Sequence, residues 1–376
     1  MNDKNKKHAI VRFAPKGSDS FFEMVKAKVD DYFTSNKLSR YATKGMWVKT
    51  VVMILLYVTP YVLMVTGVGA SSNWIFLGFW ALMGLGVVGI GTSVMHDANH
   101  GTYSSKKNVN SMMAYILEMI GGYSVTWKIQ HNILHHTYTN VTGLDEDIDT
   151  TALLRFSPNH KLRWFHRFQF LYAWCLYAVM TLFWMTVKEY RQLIRYDQFS
   201  LLKKAKTTLP KAITHLTLYK MFYYGYIIAL PLLFSGVSWW MVLVGFGVMH
   251  VIAGVALACI FQLAHVMETS SYAEPVMDEK SGEKKMEENW AVHQLLNTAN
   301  YAPRNKWLSW FIGGLNYQIE HHLFPGVCHV HYAKLSPIIH SSAQAFGLPY
   351  NVQPTFMHAL WEHARMLHML GRKPKA

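Results

Sequence analysis

The stretch WIFLGFWALMGLGVVGIGTSVMHDANH, residues 74–100, decides how the rest of the chain is read. Residues 74–95 carry no charged side chain and are long enough to cross a hydrocarbon core of about 30 Å as one helix. Gly84, Gly86, Gly89 and Gly91 give that helix places where a neighbour can approach closely. The run then ends on His96 and His100. If the helix continues, these two lie four residues apart on one face. An apolar helix that finishes on two imidazoles points to a site at a membrane surface.

Working outward, residues 46–68 form a first apolar run, and the uncharged turn 69–73 joins it to the second. Trp47 and Trp74 stand near the ends, where aromatic belts sit. A later pair repeats the form: run 219–234, uncharged turn 235–238, run 239–266. The expectation is an all-α integral membrane protein with four transmembrane helices in two hairpins. The connections that would lie outside are uncharged, whereas Lys and Arg flank the other ends. Both termini and the 96–217 segment are therefore placed in the cytosol. The division that follows is a basic arm 1–45 (with Lys4, Lys6, Lys7, Arg12 and Lys16), hairpin 46–95, cap segment 96–217, hairpin 218–268 and cap segment 269–376, acting as one unit. Two stretches are ambiguous, 112–125 and 168–187. If only one crossed, the histidine groups would be split across the membrane, so both are read as interfacial helices. The charge-dense stretch 274–289 is read as a mobile loop.

The composition agrees. Of 376 residues, 51% are hydrophobic, and they concentrate in a few long runs rather than alternating as in a soluble domain. The net charge of +14 sits at the borders of apolar runs, which fits anionic lipid headgroups better than nucleic acid. No basic helix, zinc-finger spacing or RNA-binding signature supports a nucleic-acid partner. Cys175, Cys259 and Cys328 are far apart and form no CxxC, so neither a disulfide framework nor a zinc-thiolate site is expected.

Two further histidine groups follow the first. In His131-Asn132-Ile133-Leu134-His135-His136, His131 and His135 share a helical face and His136 lies about 100° around. In Gln318-Ile319-Glu320-His321-His322, Gln318 stands where a third histidine would stand. His265 closes the last apolar run on the same side. Neutral imidazole is a good ligand for iron, zinc or copper. His96, His100, His131, His135, His136, His265, His321 and His322 could together hold two metal ions, with Gln318 a further donor, directly or through water. Asp97, Asp145, Asp147, Asp149 and Glu320 could orient the rings by accepting their second N–H. His329 and His331 extend the third group, His329 as a supporting residue or a headgroup contact. A lone interfacial histidine is ordinarily a satisfied polar residue, and His250, inside the last run, is read so. Three clusters on one side are not explained that way. No Glu-x-x-His pair of soluble di-iron bundles occurs, nor the zinc-protease His-Glu-x-x-His.

The three groups resemble the histidine boxes of the membrane fatty acid desaturases: HxxxH at His96–His100, an HxxHH-type box at His131–His136 and QxxHH at Gln318–His322. The glutamine is similar to that of the front-end members, which act between an existing double bond and the carboxyl end. The runs 127–140, 290–298 and 322–332 are similar to bacterial and cyanobacterial Δ6 desaturases, and the resemblance covers about residues 45–360. It implies four transmembrane helices with a cytosolic helical cap that holds a di-iron centre. It also implies that His265 completes the ligand set. The implied activity is O2-dependent removal of two hydrogens from adjacent CH2 groups of an acyl-CoA or acyl-lipid, with zinc able to substitute for iron in a purified sample. No HPGG motif of a fused cytochrome-b5-like domain is present, so a separate donor is expected, a ferredoxin or a free cytochrome b5-like protein with its reductase. The expected location is a bacterial inner membrane. Rival readings are a lipid hydroxylase or ketolase of the same superfamily and, from another class, a membrane metal transporter or sensor.

Overall fold

The structure, a computed structural model, describes residues 11–15, 20–149, 152–278 and 282–373. Lys4, Lys6, Lys7 and Lys16 of the basic arm lie outside the described residues. Nearly all regular structure is helical. Among the described residues, five helices are long and apolar enough to cross a membrane: Lys44–Val65, Asn73–His100, Trp164–Gln198, Leu209–Phe234 and Trp239–His265. Four of them contain the runs read as two hairpins.

The remaining one, Trp164–Gln198, contains the stretch 168–187 and runs past the charges that border it, 35 residues in all. Arg167 and Lys188 do not end it, because each lays its charge over a ring of the same helix. The Arg167 guanidinium sits 4.6 Å from the Phe168 ring and the Lys188 ammonium 5.0 Å from the Trp184 ring. The other ambiguous stretch, 112–125, is broken. Short helices Lys107–Ala114 and Ile116–Met119 are interrupted at Tyr115, and a turn at Gly121, whose φ is 91°, separates the second from Ser124–Trp127.

The helices gather into two compact units. The first comprises Ala42–Trp127 and Trp174–Ala258. Here glycine brings helix backbones together. A Cβ on Gly86 would lie 2.8–2.9 Å from Tyr57 atoms, and one on Gly84 would lie 2.8 Å from the Met249 carbonyl. Gly86→Ala should therefore force Lys44–Val65 away from its partner. The expected cost is about 1–3 kcal/mol, read as a lower melting temperature in detergent. A buried ionic cluster ties the short helices down. Lys220 Nζ pairs with Glu189 at 2.6 Å and donates to the Gly121 carbonyl at 2.6 Å. Thr126 donates to Glu189, and Glu118 accepts from the Ser124 amide and hydroxyl. His250 lies within hydrogen-bonding distance of Thr181 Oγ1 at 3.0 Å and Tyr223 Oη at 3.1 Å, a satisfied polar residue inside its unit.

The second unit comprises the chain up to Tyr41, Lys128–Ala173 and Cys259 onward. Helix Phe21–Ser35 places Phe21, Val25, Val29 and Phe33 on one face. That face packs in a core with Leu335, Ile339 and Ala343 of helix Tyr332–Ala345 and with Ile319 and Leu323. The charge-dense loop is not loose where described. Val276–Met277 pairs antiparallel with Lys284–Lys285, and Arg12 bridges to Lys285. Met286 then buries with Val11, Tyr138 and Val141, which supplies the apolar anchor that a reading of its charges missed.

Candidate metal centre

The second unit gathers six histidines. His131, His135 and His136 come from a π-helical turn, Lys128–His135, that passes into a short α turn. His265 ends helix Trp239–His265, and His321 and His322 lie in helix Gln318–Leu323, all six residues of which are buried. Neighbouring residues on a helix point about 100° apart. The members of each His-His pair therefore turn toward different neighbours, although His322 also lies with His136 and His321. His135 and His322 join His265, their ligand nitrogens all within 4.8 Å of one another. His136 and His321 join His131: His136 Nε2 lies 3.2 Å from His131 Nε2 and 2.9 Å from His321 Nε2, and the latter two are 3.4 Å apart.

In the first group each ring is held by its other nitrogen. His135 Nδ1 is 3.1 Å from both Asp145 oxygens and 3.3 Å from Asp147. Asp145 is itself fixed by the Asn140 and Asp147 amides at 2.9 and 3.0 Å, a turn that Asn140 permits at φ 60°. His265 Nδ1 is 3.1 Å from the Asn297 carbonyl, and His322 Nδ1 is 2.8 Å from Gln294 Oε1. Carbonyl, carboxylate and amide oxygens accept, so each Nδ1 carries a proton, and in the neutral ring the lone pair is on Nε2. His265 Nε2 and His322 Nε2 are buried with no hydrogen-bond partner. In the second group, His321 Nδ1 is 3.2 Å from the Tyr332 hydroxyl. Three clustered Nε2 atoms cannot all be satisfied by exchanging protons, whereas a cation between them satisfies all three. Both groups suit a transition metal that favours nitrogen.

Charge follows the same division. Burial pushes the His135 pKa down, but Asp145 and Asp147 outweigh it and raise it to about 9. Asp145 is lowered despite its burial, by the His135 charge and hydrogen bond. His322 is driven well below its ordinary value by burial and by the imidazoles of His136, His265, His135 and His131, so it stays neutral, as a ligand must.

The remaining expected residues are distributed as follows. His96 and His100 belong to the first unit, at the end of Asn73–His100 beyond a π turn at Ile90–Val94. Their ring centroids are 4.7 Å apart, each edge-on to Trp127, and Asp97 Oδ1 is 3.6 Å from His96 Nδ1. Gln318 is buried, donates to the Leu315 carbonyl at 2.8 Å and interacts with His265. His329 is buried against Gly314. Two carboxylates serve other partners. Asp149 pairs with His160 at 2.6 Å. Glu320 accepts from Tyr350 at 2.5 Å and Asn300 at 2.8 Å, which pins the ligand-bearing helix instead of orienting a ring. Burial raises Glu320 to about 7. Sequence reasoning missed Gln294, the Asn297 carbonyl and Tyr332. A glutamine on the buried face of helix Trp290–Asn297 was the available signal for the first, and a backbone carbonyl has none.

Membrane-length helices together with buried imidazoles, four of them with an oxygen at Nδ1, define a membrane protein able to hold metal through histidine. The chain belongs to the fatty acid desaturase family, whose model, described as "Fatty acid desaturase", matches residues 72–354. It is similar to the sn-1 linoleoyl-lipid 6-desaturase of Synechocystis sp., with 34% identity covering 94% of this chain and 96% of that protein. The enzyme of the same description from Arthrospira platensis is 30% identical, covering 95% and 94%. An acyl-lipid (8-3)-desaturase of Physcomitrium patens is 32% identical, covering 98% and 75%. The protein is thus a fatty acid desaturase, an oxidoreductase acting on an acyl chain in a lipid setting.

Proposed function

We propose that this desaturase acts at carbon 6 of a linoleoyl chain carried on a membrane lipid, using a di-iron centre. The observation that carries the metal reading is the pairing of three Nε2 lone pairs with three Nδ1 acceptors around His135, His265 and His322. One iron would be held there and the other by His131, His136 and His321. The box sequence adds His96 and His100 to the same ligand set, and Gln318 is a further donor, directly or through water. Bound iron would supply activation of O2 and the oxidising power to break two C–H bonds. The balance takes one O2, two electrons and two protons, forms the C=C bond and releases two waters. The chain's own part is to hold the ligands, keep water from a site whose histidines are almost fully buried, and seat the acyl chain at a set depth. The names of the Synechocystis and Arthrospira relatives support a lipid-linked substrate and position 6. Electrons would come from a ferredoxin or a cytochrome b5-like carrier with its reductase.

A topology with both termini on the cytosolic side is part of this reading. His135 and His265 have ring centroids 4.7 Å apart, yet three membrane-length helices separate them in the chain. Only an even number of these can cross. Leu209–Phe234 and Trp239–His265 are joined by four residues and cross together or not at all. That leaves Trp164–Gln198 along the surface. At about 52 Å for 35 residues it exceeds a core of about 30 Å.

Gln294→Leu should weaken metal affinity about 10- to 100-fold in chelator competition, because His322 loses the acceptor that fixes its tautomer. Gln294→Glu keeps an acceptor and should recover most of it. The activity itself is tested in a host without polyunsaturated lipid, fed linoleate, with methyl esters analysed by mass spectrometry. A triene with its new bond at carbon 6, appearing first in the lipid pool after a pulse, is the expected result. A bond at carbon 5 or 8 overturns the regioselectivity, and a hydroxylated chain overturns desaturation of this substrate.

A further inference from the structure

Helix Phe356–Leu370 buries Ala359, His363, Met366, Leu367 and Leu370 and is firmly seated in the second unit. His363 Nδ1 donates to the Val266 carbonyl at 2.9 Å, and Gln169 donates to the Leu367 carbonyl at 2.8 Å. Its other side is unlike a water-facing surface. Met357 and Trp361 are 67% and 68% exposed, and the same face runs on at helical spacing through Arg365 and His368 to Arg372. Beside it, the start of Trp164–Gln198 shows a matching face, with Trp164 75% and Leu171 61% exposed. The two faces meet at Phe170, where the His368 ring packs edge-on at 5.1 Å and the Arg372 guanidinium lies 5.9 Å above the ring.

Arg365 is paired with Glu268 and Glu362 at 3.2 and 3.8 Å, so the basic border is carried by Arg372, and large apolar side chains this exposed beside such a border are the composition of a helix lying in a membrane interface. Spanning is excluded for Phe356–Leu370, since 15 residues reach only about 22 Å and include Glu362 and Arg365. A second copy would bring Arg372 against its own counterpart. A leaflet with anionic headgroups satisfies both the apolar stripe and the basic rim. We propose that this surface, centred on Trp361, docks flat on an anionic leaflet and anchors the histidine-bearing unit to it. The inference uses the membrane reading and nothing about metal or substrate.

The test uses full-length protein with exposed Cys175 changed to serine; Cys259 and Cys328 are buried. Nitroxide labels are placed by Trp361→Cys, Val58→Cys within helix Lys44–Val65, and Lys26→Cys on helix Phe21–Ser35. The protein is reconstituted in nanodiscs of phosphatidylcholine with and without phosphatidylglycerol. Collision with O2 and with a water-soluble nickel chelate reports depth. The label at 361 should show an O2-to-nickel ratio several-fold above that at 26 and approaching that at 58. Phosphatidylglycerol should raise it further, and Arg372→Glu should abolish that increment while leaving position 58 unchanged. If 58 reads hydrocarbon and 361 reads water, the proposal falls and the membrane reading stands. Dipolar broadening at 361 that disappears on dilution with unlabelled protein would assign the face to a second copy and also overturn it. A water-like 58 would undo the membrane reading itself.

Discussion

His322→Ala is expected to abolish desaturation and to lower bound iron by about half, with the fold retained. His322 is the only residue of helix Gln318–Leu323 in the group with His135 and His265, so its loss leaves two imidazoles there. Two nitrogen donors hold a divalent ion far more weakly than three or more. The second group keeps His131, His136 and His321 and should retain its ion. Metal analysis beside circular dichroism separates this from unfolding. His293→Ala is the matched control. His293 is equally buried and lies one residue from Gln294, but its Nε2 donates to the Thr139 carbonyl at 2.8 Å and it stands in neither group. It should keep both ions and lose about 1–3 kcal/mol of stability. Equal iron loss in the two variants would sink the assignment of His322 as a ligand.

The second large effect is on pH. In the metal-free protein, Asp145 and Asp147 hold His135 protonated up to about 9. A metal must displace that proton, so its apparent affinity should rise about tenfold per pH unit and level off near 9. Asp145→Asn removes the charge that retains the proton. The rise should then end at lower pH, and the plateau should fall about 10- to 100-fold because a weaker acceptor holds the ring. A pH-independent affinity in the parent protein would overturn the argument. The same pair governs metal-free stability. A raised His135 contributes below its unfolded value near 6.5 and loses that contribution as pH rises through about 9. A lowered Asp145 contributes above its unfolded value near 3.8 and loses it as pH falls through its depressed value. The pair therefore stabilises the metal-free protein between those limits, and chemical denaturation across pH would show the plateau.

Much of this was legible in the sequence because it depends on local spacing. Long uncharged runs reveal helices of membrane length, and histidines one and four apart reveal shared and divergent helical faces. What remained hidden depends on residues brought from afar. Glu320 was as plausible a ring partner as Asp145, and only the approach of Tyr350 and Asn300 gives it another role. Asp149 likewise finds His160. Asn297 acts through its carbonyl, which no residue type announces. The 35-residue helix was read short because Arg167 and Lys188 look like ends, whereas rings beside them let the helix continue.

The π turn at Ile90–Val94 has a bearing on how such a helix can change over generations. A π turn is what a single inserted residue leaves in an α-helix, and it offsets everything beyond it by about 100°. The glycine-lined part of Asn73–His100 and its terminal His96 and His100 are thus phased independently. Substitutions that retune helix packing need not re-aim the imidazoles, and deleting one residue between 90 and 94 would restore a plain α turn while leaving both the aim of His96 and His100 and the packing before them in place.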